Sequence, residues 1–266
     1  VTITSNVLDG YVGNDVVPQI AEAMESYEMP QGFNYAFTGE QQQQQEDLGF
    51  LLGAFVFALF LIFIIIVAQF NSISSPFIIL TSVVLSLIGV LLGYFFFGGT
   101  LSVVFTGVGI ISLAGVVVNN AIVLIDYTTL LMKERAADLN IEKISHLELE
   151  DIRAAIVDGG STRLRPVLLT AITTVLGLIP LAIGFNFDFF SFIATWDGRY
   201  FLGGDNTAIW GPMAWTIIYG MVFATFLTLV VVPVMMWLIY KTRRSIKSIF
   251  RRISGKADDR DLVVKA

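Results

Sequence analysis

Two adjacent carboxamides, Asn119 and Asn120, sit well inside an apolar stretch, Gly107–Tyr127 (GVGIISLAGVVVNNAIVLIDY), that is long enough to cross a bilayer. An amide side chain in hydrocarbon costs roughly several kcal/mol unless it finds a partner. Polar residues at that depth therefore face other helices or a wet cavity, and they are functional candidates by default. A later charge-free stretch puts Thr170, Thr174 and Gly177 on one helical face, and Arg163 stands two turns before Thr170 on the same side. Plainer roles compete with these. Paired amides serve as interhelical glue, membrane threonines commonly bond back to their own helix, and Arg163 and Arg165 suit snorkelling anchors. Asp126 closes the first stretch at the expected interface.

Enzymatic constellations are missing. The single histidine, His146, lies in a charged segment with no cysteine anywhere in the chain, so no metal site is expected there. Neither standard glycine-rich phosphate loop occurs, and no span carries a carboxylate pair or a Ser/His pair at depth. The basic C-terminal tail is explained by membrane topology and anionic lipid, so no nucleic acid is expected. No cofactor is expected either, and no enzymatic chemistry is read in the chain.

The elements that must position these residues are membrane spans. Of the 266 residues 55% are hydrophobic and only 14% charged, against roughly a quarter in a soluble domain. The mean hydropathy is +0.76. From Leu48 to Ile125 there is no Asp, Glu, Lys, Arg or His. About 20 residues span a bilayer, so three crossings fit, broken at Gln69–Pro76 and at Gly98-Gly99-Thr100. The expected spans are 49–68, 76–97 and 103–126, followed by 166–187 and 212–240. Small residues recur at helical spacing on two of them. Ser82, Ser86, Gly89 and Gly93 form one close-packing face, and Gly107, Ile111 and Gly115 lead up to Asn119 in another. The span bearing Asn119 is expected at the centre of the bundle, with Gly177 a further packing position.

Ahead of the spans, residues 1–8 partly alternate, Asn14 can cap a helix, and Phe33–Thr38 read as a strand. Residues 1–38 are thus a βαβ unit, too small to bury a core alone. With a valine start and no signal peptide, the chain is expected to be the C-terminal piece of something longer. Residues 39–47 read as a polar linker. Residues 127–165 are charged, with an amphipathic helix over Ile144–Val157 expected along the membrane surface. The aromatic segment 188–210 reads as an extramembrane loop, and 241–266 as a basic tail. Of sixteen Lys and Arg residues, only Arg199 falls on the side of the N-terminus. The positive-inside rule therefore puts the N-terminal unit and 188–210 outside, and 127–165 and the tail in the cytoplasm.

GIISLAGVVVNNAIVLIDY, followed by STRLRPVLLTAITTVLGLIPLAIG, resembles the tenth and eleventh membrane helices of resistance-nodulation-division (RND) efflux pumps of the hydrophobe/amphiphile exporter type. FLLGAFVFALFLIFIIIVAQFNSISSPFIILTSVVLSLIGVLLG resembles their eighth and ninth helices, and FATFLTLVVVPVMMWL their twelfth. The resemblance covers nearly the whole chain. It implies a membrane all-α bundle of five transmembrane helices, half of an RND transporter domain, preceded by the βαβ end of a periplasmic α+β porter domain. It also implies a proton-driven, homotrimeric, multi-pass inner-membrane antiporter with a periplasmic adaptor, an outer-membrane channel and the N-terminal half of its own polypeptide as partners. Asn120 matches a family asparagine, Thr170 the eleventh-helix threonine, and Arg163 the arginine near that helix's start. Many members carry a lysine where this chain has Asn119, and their acidic residues lie on a fourth helix outside it. Together these positions are the expected proton-coupling site. A protein-export accessory and a non-transporting sensor or scaffold are the alternatives on the same fold. VVVNNAIVLIDY fits the exporters better than the export accessories.

Overall fold

In the computed structural model residues 5, 13–27, 30, 35–141, 144–187, 193 and 200–253 are described. The chain divides into two compact units, Val1–Ala54 and Phe55–Ala266. In order the elements are α1 (Gly13–Glu25), α2 (Glu40–Phe70), α3 (Ser74–Phe97), α4 (Val103–Asp138), a 3-10 turn (Ile144–His146), α5 (Leu149–Ile183), β1 (Phe185–Phe187), β2 (Tyr200–Leu202) and α6 (Asp205–Ile253). Five of these, α2 to α6, are long and apolar enough to cross a membrane.

In the first unit α1 forms as expected, although its apolar side chain Ile20, and Tyr27 just beyond its end, are exposed. Most of the two strands expected over 1–8 and 33–38 lies outside the described residues, and residues 35–38 carry no strand. The linker expected over 39–47 is instead the start of α2 from Glu40 onward. Gln and Glu are good helix formers, and Gln42 donates to Glu46 one turn on at 2.8 Å, so the polar run extends the helix that the apolar run requires.

In the second unit α6 packs against α3, α4 and α5, and α4 packs against α3, α5 and α6. The central position expected of α4 is thus shared with α6. Half of α4's most apolar membrane-length window is buried, against 6% for α2, whose sides stay open. Ile79 and Val83 of α3, Leu113, Val117 and Leu124 of α4, and Met221 and Val232 of α6 form one core. Lipid tails are as apolar as these side chains, so close packing rather than water exclusion must hold the spans together.

The helices overrun their spans. At 36 residues α4 is about 54 Å long, against a hydrocarbon layer of about 30 Å. Its end is a Schellman turn in which Ile141 donates to Ala136 (2.7 Å) and Asn140 to Ala137 (3.0 Å), with Asn140 left-handed at φ 52°. The amphipathic segment over 144–157 does not form a separate surface helix. It is the 3-10 turn plus the first turns of α5, continuous through Pro166. Its apolar side chains Leu147, Ile152, Ala155 and Ile156 are buried in the same core as Met132 and Ala136 near the end of α4. An ion pair between Arg135 and Asp158 closes its polar side. Protein covers the stripe that lipid was expected to cover.

Of the loop expected over 188–210, residues 188–192 and 194–199 lie outside the described residues, and its end is ordered structure. β1 and β2 pair antiparallel, with Asn186 opposite Phe201, and α6 begins at Asp205. Asn186 donates to the carbonyls of Gly184 (3.0 Å) and Gly203 (2.6 Å) and ties the hairpin base together. Gly184 ends α5 in the left-handed region at φ 71°, and a Cβ there would collide with Thr207 and the Gly203 backbone. Only glycine fits.

Candidate functional site

The site residues are set by the antiparallel packing of α4 and α5. The guanidinium of Arg163 lies over the Tyr127 ring, 4.2 Å from its centroid, and Gly159 faces Thr128 closely enough that a Cβ would press on its hydroxyl. Two turns back along α4 and two turns on along α5, the same register brings Asn120 level with Thr170. The two amides differ. Asn120 is buried, 7% exposed, whereas Asn119 is exposed. Neither carboxamide has a hydrogen-bond partner among the described residues. Thr170 is exposed, and its hydroxyl donates to the Val167 carbonyl at 2.9 Å. Thr173 and Thr174 bond back in the same way, both reaching the Thr170 carbonyl. These hydroxyls spend their protons on their own helix, as the plainer reading expects.

Arg163 does not reach along α5 toward the amides. It stacks on Tyr127, a cation–π contact, and its Nε is buried without a partner among the described residues. Val104, Val108, Ser112, Gly115, Asn119, Val123 and Asp126 are all exposed at spacings of three and four, so they form one continuous open stripe along α4. Glycine placement follows the same division. Gly107 is half-buried, while Gly115 and Gly177 meet nothing within 4 Å. The close approach on α4 is instead at Gly109, where a Cβ would come within 2.9 Å of Thr216 of α6. On α3 Ser82, Ser86, Gly89 and Gly93 are all buried, and Cβ atoms on the two glycines would run into Phe223 and Tyr219 of α6.

Sequence reasoning missed a polar tie between α3 and α6. The Tyr94 hydroxyl donates to the Pro212 carbonyl at 2.8 Å and lies 2.9 Å from the Thr216 hydroxyl, which reaches the same carbonyl at 2.7 Å. Tyr219 packs edge-on to Tyr94 and stacks with Phe97 and Trp215. The available signal was a phenol late in an apolar span and a proline inside another. The carbonyl of Pro212 takes both hydroxyls, and the Thr216 bond is the back-bonding to the i−4 carbonyl that helical threonines favour.

A model of the AcrB/AcrD/AcrF family matches residues 1–187. The chain belongs to this family of RND transporters. It is a multi-pass membrane protein by family and by its five spans. Three curated family relatives illustrate the spread of names. The chain is 34% identical over 193 residues to the swarming motility protein SwrC of Bacillus subtilis, covering 72% of this chain and 15% of that protein. It is 29% identical over 236 residues to the cobalt-zinc-cadmium resistance protein CzcA of Cupriavidus metallidurans, covering 88% and 19%. It is 25% identical over 233 residues to the multidrug resistance protein MdtC of Proteus mirabilis, covering 88% and 20%. Among solved structures, the crystal structure of a heavy metal efflux pump superposes with a TM-score of 0.63 at 26% identity, covering 88% of this chain and 20% of that one. This AcrB/AcrD/AcrF-family chain thus spans a fifth or less of the length of these relatives.

Proposed function

We propose that this chain is the C-terminal membrane part of a proton-driven efflux pump subunit exporting hydrophobic or amphiphilic compounds across the inner membrane. The subunit would work as a homotrimer with a periplasmic adaptor and an outer-membrane channel. The open stripe of α4 supports this best. Small residues there, Ser112 and Gly115, lead to an unpartnered amide, Asn119, at the depth of Thr170. A stripe of that kind suits close approach of another helix, and an amide in hydrocarbon requires a partner from it. The partner would be a carboxylate on the N-terminal half, taking up and releasing the transported proton. Asn119, Asn120 and Thr170 would hydrogen-bond the carboxylate once it ionises. Arg163, held on Tyr127, would set the potential at the entrance to the site.

A second substrate class, metal cations, is favoured by the likeness to the cobalt-zinc-cadmium resistance protein and to the heavy metal efflux pump. Full-length protein in proteoliposomes with an imposed pH gradient separates the two. Proton flux triggered by a lipophilic dye, and not by Zn2+ or Co2+, is the expected result. Flux triggered by the cations alone would assign the second class, and flux with neither would remove proton-coupled export.

Orientation gives a separate expectation. With fifteen of sixteen Lys and Arg on one side, single cysteines in this cysteine-free chain should label from outside at Ser5 and stay protected at Ser145. The reverse pattern would invert the topology.

A further inference from the structure

Near its charged end α6 carries three cations within four residues, Lys241, Arg243 and Arg244. None has a carboxylate partner among the described residues, where the one ion pair joins Arg135 to Asp158. Lys241 lies over the Trp237 ring at 4.6 Å, Arg243 donates to the Ser74 hydroxyl at 2.8 Å, and Arg244 donates to the Leu147 carbonyl at 3.2 Å. Every one of these acceptors is neutral, so the charge of the cluster is uncompensated. Ser74 opens α3, whose N-cap contributes no side-chain bond, so the Arg243 guanidinium also stands at the positive end of a helix dipole. An anion between them would relieve both. Beside Arg243 runs a groove of about 220 Å3, lined by Met235, Leu238, Ile239, Thr242, Arg243 and Ile246. It is apolar along its length and cationic at one end. It lies where the charge-free run of α6 gives way to Lys241, Arg243 and Arg244.

We infer that this groove seats one anionic phospholipid, with an acyl chain along Met235, Leu238 and Ile239 and the headgroup phosphate against Arg243. The charge selects an anion, and a forked guanidinium suits phosphate oxygens. The apolar wall at the edge of the hydrocarbon layer selects an acyl chain over a water-soluble acid. The volume admits part of one chain and a small headgroup.

The test is native mass spectrometry of the delipidated chain in mild detergent, titrated with phosphatidylglycerol and phosphatidylcholine of identical acyl chains. The first phosphatidylglycerol should bind about fivefold or more tighter than phosphatidylcholine, and Arg243→Gln should remove about fivefold of that preference. Arg243→Lys, which keeps the charge, should retain most of it. Circular dichroism checks that the helices persist. Where Arg243→Gln lowers helix content, Arg243→Lys decides: a retained preference supports the seat, and its loss overturns it. Equal affinity for the two lipids, or an unchanged preference in a well-folded Arg243→Gln, would overturn the site. Glycerol phosphate binding as tightly as the lipid would remove the groove from it and overturn it too.

Discussion

Gly93→Val, and Gly89→Val with it, should separate α3 from α6 and lower the thermal midpoint of the chain by the largest amount of any single change on α3. The added Cβ would meet the Cβ and ring root of Tyr219 at Gly93, and of Phe223 at Gly89. These atoms sit next to the α6 backbone and cannot swing aside, so the helices must part. Overpacking of this kind costs about 1–3 kcal/mol at each site, and more where the neighbour is rigid. The move would also stretch the tie from Tyr94 to Pro212 and Thr216, exposing polar groups to hydrocarbon. Gly115→Val is the control. Nothing lies within 4 Å of Gly115, so the chain itself should tolerate the valine, while the full-length pump should lose activity if another helix covers that face. Thermal unfolding in detergent reads the first part and transport reads the second. Equal midpoints for Gly93→Val and the unaltered chain would mean that α3 and α6 are not in this contact.

Asn119→Leu should abolish proton-coupled transport in the full-length protein while leaving assembly intact. Leucine keeps the amide's branching at Cγ, and Asn119 is exposed on the open stripe, so the substitution removes hydrogen bonding with little repacking within the chain. A hydrogen bond to a charged group is worth about 1.5–3 kcal/mol, which makes a loss of at least roughly tenfold the expected floor. Thr170→Val should act in the same direction, since Thr170 stands at the depth of Asn120. Val117→Ala and Val167→Ala, at buried apolar positions on the same helices, should reduce transport only mildly. Asn119→Lys tests the electrostatics with a definite sign. A cation beside a carboxylate favours its charged form and lowers its pKa. The carboxylate facing Asn119 should therefore have a higher pKa than one facing lysine, and Asn119→Lys should move the acid limb of the transport profile to lower pH. Normal transport by Asn119→Leu at several pH values would make the amide interhelical glue and remove it from the coupling site.

The spans were legible in the sequence because hydrocarbon leaves so little choice. A backbone that cannot bond water must be helical, and about 20 residues without charge mark where. The family was legible from the runs around Asn119 and Thr170, which are long and specific. Helix ends were not. Once α2, α4 and α5 leave the membrane, good helix formers and pairs such as Gln42 with Glu46 carry them on, and composition changes without the helix stopping. Spacing showed that Ser82, Ser86, Gly89 and Gly93 form a packing face, but nothing in the spacing named α6 as what fills it.

The sequence by itself marked five candidate crossings, the place of Asn119, Asn120 and Thr170 along them, and the segregation of charge, because each follows from what a bilayer excludes along one chain. Only the tertiary structure decided which sides are covered. A stripe of apolar or small residues asks for a neighbour without saying whether lipid or protein supplies it. Protein buries Leu147, Ile152 and Ile156 and receives Gly109, whereas Gly115 and Asn119, further along the same helix on another face, are left open. Arg163 ended on Tyr127 for the same reason. Its reach allowed several partners, and the aromatic face brought beside it by antiparallel packing is the one that the fold supplies.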